Sequence, residues 1–137
     1  MAMDVLIRRL GGVARTFELH EHGFTEEIIT AFVAHGRVIR VRQGWYATHD
    51  TPPLAVAAIR AGGRLACVSA LAHHGLVEPG GPLHISVGRS GNPRAAPGVV
   101  VHWTRRDLAG DRVAVSAEEA WKQARVCRAV RAGTLEP

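Results

Sequence analysis

Between Thr25 and Ala47 the apolar period changes from that of a helix to that of a strand across one glycine, and no other stretch restricts the fold as much. Thr25 is a good N-cap residue, Glu26 and Glu27 follow where the helix dipole favours anions, and Ile28, Ile29, Phe32 and Val33 recur at spacings of three and four. Gly36 ends this helix. Residues 37–47 then alternate with period two about Gln43-Gly44, a two-residue turn in which glycine supplies the positive φ. The expected register sets Arg42 opposite Trp45, Val41 opposite Tyr46 and Arg40 opposite Ala47. Ile28, Phe32, Val33, Ile39, Val41 and Tyr46 form the expected core, whereas Arg40, Arg42 and Trp45 face outward.

Two shorter helices precede this unit, Asp4 to Leu10 ended by Gly11-Gly12, and Arg15 to His22 with Thr16 as N-cap and Gly23 after its last turn. Three helices followed by a β-hairpin is the order of a winged helix-turn-helix, with a short turn at Gly23-Phe24. His49-Asp50-Thr51-Pro52-Pro53 is the expected boundary between a unit over residues 1–50 and a small mixed α/β unit over 51–137. In the second unit helices are expected over Pro53 to Ala61 and Ser69 to His74, strands over Leu83 to Val87 and Val99 to Trp103, and a loop between the strands. A last helix, capped by Ser116 with Glu119 completing a capping box, is expected to run to about Val130. The fold class is therefore α+β.

All of the basic residues except Lys122 are arginines, the side chain suited to planar, bidentate recognition of phosphate. A GC-rich coding sequence yields the same bias, so charge alone decides nothing. The formal charge of +5 is also uneven: residues 1–50 balance six arginines against six carboxylates, and residues 51–137 carry the whole excess. A DNA reader in the first unit has to use local clusters. Its third helix offers Thr25, Glu27 and Thr30 to the major groove, a poor set apart from glutamate's ability to accept from cytosine. The hairpin is better equipped, with Arg37, Arg40 and Arg42 beside Trp45, and Arg15 nearby for a phosphate. The competing reading is a solvated hairpin edge protected by its charges.

These residues carry a family resemblance. The stretch GGVARTFELHEHGFTEEIITAFVAHGRVIRVRQGWYAT, followed by AIRAGGRLACVSALAHHGL, LHISVGRS and VVVHWTRRDL, resembles the AbiEi-type antitoxins of type IV toxin–antitoxin systems. The resemblance implies a winged helix that binds double-stranded DNA at its own promoter, and a following α/β region that neutralises a nucleotidyltransferase toxin. Two departures stand out: the third helix has no arginine, where relatives are often arginine-rich, and the endonuclease-like C-terminal domain of some actinobacterial relatives is absent. Two alternatives follow, a toxin- or protein-binding module whose DNA affinity has decayed, and the orphaned DNA-targeting half of a nuclease-like protein.

No enzymatic constellation competes with this reading. Glu18 and His22 share a helix face near His20, but no third or fourth metal ligand is evident from spacing, and His73 and His74 point to different faces. Cys67 lies in the apolar run Leu65-Ala66-Cys67-Val68 and reads, like Cys127, as a buried inert thiol suited to a reducing cytoplasm. Gly88-Arg-Ser-Gly91 lacks the spacing and lysine of a phosphate-binding loop, and Ser116 reads as a cap. The expectation is no catalytic residue, no metal, no cofactor, and neither a signal peptide nor a membrane span.

Overall fold

The computed structural model describes residues 1–94 and 96–132. Its element order is α1 (Met3–Arg9), β1 (Val13–Arg15), α2 (Thr16–Glu21), α3 (Glu26–Ala34), β2 (Ile39–Arg42), β3 (Trp45–Ala47), α4 (Pro53–Ala61), β4 (Arg64–Leu65), α5 (Cys67–His73), β5 (Leu83–Gly88), β6 (Val99–Thr104), α6 (Ala117–Val126) and α7 (Arg128–Ala132). This is a mixed α+β fold with two three-stranded sheets, ordered β1-β3-β2 and β4-β5-β6.

Local signals set most of the boundaries. Thr25 caps α3 by accepting from the Ile28 amide at 3.3 Å, and Gly44 takes φ 83° in the turn between β2 and β3. Ser116 caps α6 by accepting from the Glu119 amide at 3.2 Å. Only half of the expected capping box forms, because the Glu119 carboxylate is held by Arg106 at 2.9 and 3.1 Å. The last helix does not run to Val130 unbroken: Cys127 leaves the helical region at φ −76°, ψ 121°, and α7 starts after it.

Strand β1 is the element with no local signal. Its three residues are strand because they pair with β3, Val13 opposite Ala47, Ala14 opposite Tyr46 and Arg15 opposite Trp45. Thr16 therefore begins α2 instead of capping it, with Arg15 at the N-cap. The hairpin register also differs from the alternation argument. Arg42 does face Trp45, but Arg40 faces Tyr46 and Ile39 faces Ala47, because a bulge takes up Val41.

The first sheet has apolar side chains on both faces. Ala14 and Tyr46 join Met3, Leu6, Ile7, Leu19, Ile29 and Val38 in one cluster. Val13, Val41 and Ala47, with Ile39 and Trp45 partly buried beside them, join a larger cluster built from α4, α5, the second sheet and α6. Core packing thus crosses the sequence boundary at residue 50. In α3 the buried position is Ile29, whereas Ile28 is 39% exposed. The small first cluster reaches only the Ile29 side of the helix, with Phe32 and Val33 half-buried against it.

The second sheet is mixed. β4 runs antiparallel to β5, and β6 runs parallel to β5 with Leu83 opposite Val99 and Gly88 opposite Thr104. Parallel neighbours need the chain to return along the strand, which it does between Gly88 and Val99, with no helix among the described residues there. Gly63 is required where β4 meets β5, since a Cβ there would lie 2.5 Å from the Ser86 carbonyl oxygen.

Candidate functional site

The arginines divide by what they touch. Arg8 is held by Asp4 and Asp50, Arg106 by Glu119, and Arg64 donates to the carbonyls of Leu108 and Asp111 at 2.6 and 2.7 Å. Arg112 joins the two halves of the chain. It donates to both carboxylate oxygens of Glu18 at 2.8 and 3.0 Å and to the Val13 carbonyl at 3.2 Å. The Arg112 hydrogen bonds hold the Glu18 carboxyl below the usual range, against the opposing effect of burial, and the Arg15 amide adds to the effect at 2.8 Å. These four guanidiniums serve the fold.

Among the described residues no carboxylate pairs with Arg15, Arg37, Arg40, Arg42, Arg89 or Arg105. Arg37 and Arg40 are exposed on the hairpin, and the Arg37 guanidinium lies 5.8 Å from the Phe32 ring centroid. Arg15 lies between two rings, 5.4 Å from Phe17 and 5.2 Å from Trp45. Trp45 does not project freely: it is half-buried against the larger core. Arg42 is half-buried too, its Nη1 over Gly62, where a Cβ would come within 2.8 Å of it. The outward pair expected from alternation is thus turned into a crease, because the hairpin face that carries Trp45 is covered by α4 and the second sheet.

That crease is a cavity of about 240 Å³ running from Arg42 and Trp45 to Gly63, Arg64 and Gly88. An adjoining cavity of about 280 Å³ shares Arg64, Ser86 and Gly88 with it and ends at Arg89 and Arg105, where the parallel strands end. The carboxyl ends of parallel strands are a usual place for ligands in open sheets. Trp103, 60% exposed, stands beside Arg89 and Arg105. The two cavities make one arginine-lined track from the hairpin to the second sheet. Of its lining, the sequence reading named Arg42 and Trp45, at the hairpin end. Arg89 and Arg105 were missed because they sit on loops far apart in sequence, and only the parallel pairing of β5 with β6 brings them together.

Thr25, Glu27 and Thr30 are all exposed on α3, so the helix presents carboxylates, Glu26 among them, and no arginine to solvent. His20 lies 3.0 Å from Glu26, and the His22 ring is taken up by the Glu18 carbonyl at 2.9 Å. Glu18, being bound to Arg112, shares no site with either histidine.

A second cluster lies inside the protein. Cys67 at the start of α5, His84 on β5, His102 on β6 and Cys127 between α6 and α7 bring their ligand atoms within 4.8 Å of one another. His84 Nδ1 is 3.0 Å from His102 Nε2, and Cys127 Sγ is 3.9 and 3.8 Å from those two nitrogens. Burial, reinforced by His102, drops the His84 pKa to about 4, and burial lowers that of His102. Burial, with the other thiol adding to it, pushes the Cys67 thiol up to about 12. Three of the four side chains are buried and His102 is partly buried, so they share one largely enclosed space. The sequence reading kept the two cysteines apart and singled out neither histidine. Strand parity was the available signal: His84 pairs with Val100, so His102, two residues on, faces the same side.

Compared with protein-family models and with curated proteins, the chain matches none.

Proposed function

We propose that this chain is a DNA-binding protein of the transcription-regulator class, with residues 1–48 as a winged helix and the arginine-lined track as its phosphate-contacting surface. The observation that supports this reading is the order α1-β1-α2-α3-β2-β3 closed by an antiparallel β1-β3-β2 sheet, with β2 and β3 as the proposed wing. The arginines without a carboxylate partner support it, because a guanidinium that the fold does not neutralise is available to phosphate. The acidic α3 argues for affinity dominated by backbone contacts from the hairpin and the strand ends, with a minor role for base reading by the helix.

The test is fluorescence anisotropy of a labelled duplex from upstream of the coding sequence and of a random duplex, from low to physiological salt. The reading expects binding that weakens linearly in log affinity against log salt, with the upstream duplex bound more tightly. Absence of binding to either duplex at low salt overturns it.

A protein partner is the second reading. Trp103, Trp121 and Val126 leave large apolar side chains on the second unit, and exposed tryptophans are typical anchors of protein interfaces. The toxin-neutralising role implied by the family resemblance belongs to this surface. It predicts that a nucleotidyltransferase encoded beside this chain co-purifies with it and is lost on Trp103→Ala.

A further inference from the structure

We propose that Cys67, His84, His102 and Cys127 form a structural Zn²⁺ site that ties the second sheet to helices α5 and α6. The donor set is two sulfurs and two imidazole nitrogens, the combination that selects zinc in a tetrahedral site. With Zn–S about 2.3 Å and Zn–N about 2.0 Å, tetrahedral edges are roughly 3.3 Å for N···N, 3.5 Å for N···S and 3.8 Å for S···S. The spacings of 3.0 Å between His84 Nδ1 and His102 Nε2, and of 3.8 and 3.9 Å from Cys127 Sγ to them, lie within a few tenths of an ångström of those edges. Cys67 Sγ completes the set within 4.8 Å of the others.

The ligands are also held in place before any ion arrives. Cys67 has φ 51°, and it is the non-glycine residue with positive φ among the described residues. Such a conformation persists only where its surroundings enforce it. The Cys67 amide donates to Gln123 Oε1 at 2.8 Å, which fixes the start of α5 against α6. The His84 amide donates to Ser69 Oγ at 2.8 Å, which fixes β5 against α5. Parallel pairing then puts His102 beside His84, and the helix break at Cys127 turns its thiol toward both. Cys67 is fully buried, His84 is 2% exposed and Cys127 8%.

Four protein ligands leave no coordination position for water or substrate, so the role is structural and not catalytic. The four come from four separate segments, so one ion cross-links the second unit along most of its length, in a core otherwise built from aliphatic side chains. When the reduced, metal-free protein takes up Zn²⁺, each S–H bond is replaced by a Zn–S bond. The protons pass to solvent, one from each cysteine, and no electron is transferred. This departs from the sequence reading, which found no complete ligand set: successive ligands lie 17, 18 and 25 residues apart, unlike the close cysteine pairs of compact zinc motifs.

The test uses the full chain, purified reduced and without chelator. Elemental analysis is expected to find one equivalent of zinc, and Co²⁺ added to the metal-free protein is expected to give tetrahedral d–d bands together with thiolate-to-metal charge transfer. Cys67→Ser and Cys127→Ser should each lose the metal, whereas His20→Ala and His22→Ala should keep it. A folded, reduced protein that takes up neither Zn²⁺ nor Co²⁺ overturns the proposal. So does zinc retained by the double serine variant, or a Cys67–Cys127 disulfide in the freshly purified chain. If the serine variants do not fold, the parent's cobalt spectrum decides, and a spectrum without thiolate charge transfer overturns the assignment.

Discussion

Glu18→Gln is the sharpest probe of how the first fifty residues are attached to the rest. The Glu18 carboxylate accepts two hydrogen bonds from Arg112 and one from the Arg15 amide, and Arg112 also holds the Val13 carbonyl. The pair joins the start of α2 to the turn before α6. Glutamine keeps the shape but removes the charge, leaving Arg112 in a site where its side chain is 30% exposed. Hydrogen bonds to charged groups contribute about 1.5–3 kcal/mol each, but the remaining exposure and the amide's residual acceptor reduce the loss, so about 2 kcal/mol is expected at neutral pH. For a chain of this size that is a fall of roughly 6–8 °C in the melting midpoint. The pH dependence has a definite sign. Because the folded pKa lies below the ordinary 4.5, the contribution is fully present above that ordinary value and is lost as pH falls through the folded one. Differential scanning calorimetry of both proteins from pH 7 down to about pH 3 reads this directly. The gap should be largest at neutral pH and close on acidification. Equal midpoints at pH 7, or a gap that widens as pH falls, would refute the reasoning.

Three further outcomes follow from packing. Ile29→Ala empties the one fully buried position of α3 and should cost about 3 kcal/mol in urea unfolding, whereas Ile28→Ala, at an exposed position, should cost under about 1 kcal/mol. Gly63→Ala drives a Cβ against the Ser86 carbonyl and should destabilise the chain by about 2 kcal/mol or more in the same urea unfolding; a neutral effect would refute the close approach of β4 to β5. Gln43→Ala in the hairpin turn, at an exposed position, should leave the melting midpoint nearly unchanged, by the same calorimetry.

How much of this was legible in the sequence depended on how local each cause is. Thr25, Gly44 and Ser116 act on their own neighbours, so α3, the hairpin turn and the start of α6 could be placed from residue types alone. The run Pro53–Ala61 was equally readable, with proline opening the helix and Gly62 closing it. β1 was not, since Val13-Ala14-Arg15 is too short to show a period and becomes a strand only against β3. Outward and inward were misassigned for Trp45 because alternation assumes one dry face, and this sheet has two. The residues around the buried cluster were readable only in part: parity links His84 to His102, but nothing local links either to Cys67 or Cys127.

The central claim, that the arginines left unpaired by the fold contact DNA phosphates, is tested most directly by the salt dependence of duplex binding in the parent and in an Arg40→Ala, Arg42→Ala, Arg105→Ala variant. Each lost phosphate contact removes about one unit from the slope of log affinity against log salt, so the triple variant should bind more weakly, with a slope lower by about two to three. Glu27→Ala, on the acidic face of α3, should not lower the slope. A triple variant that keeps the parent's circular dichroism spectrum and also its slope would contradict the account.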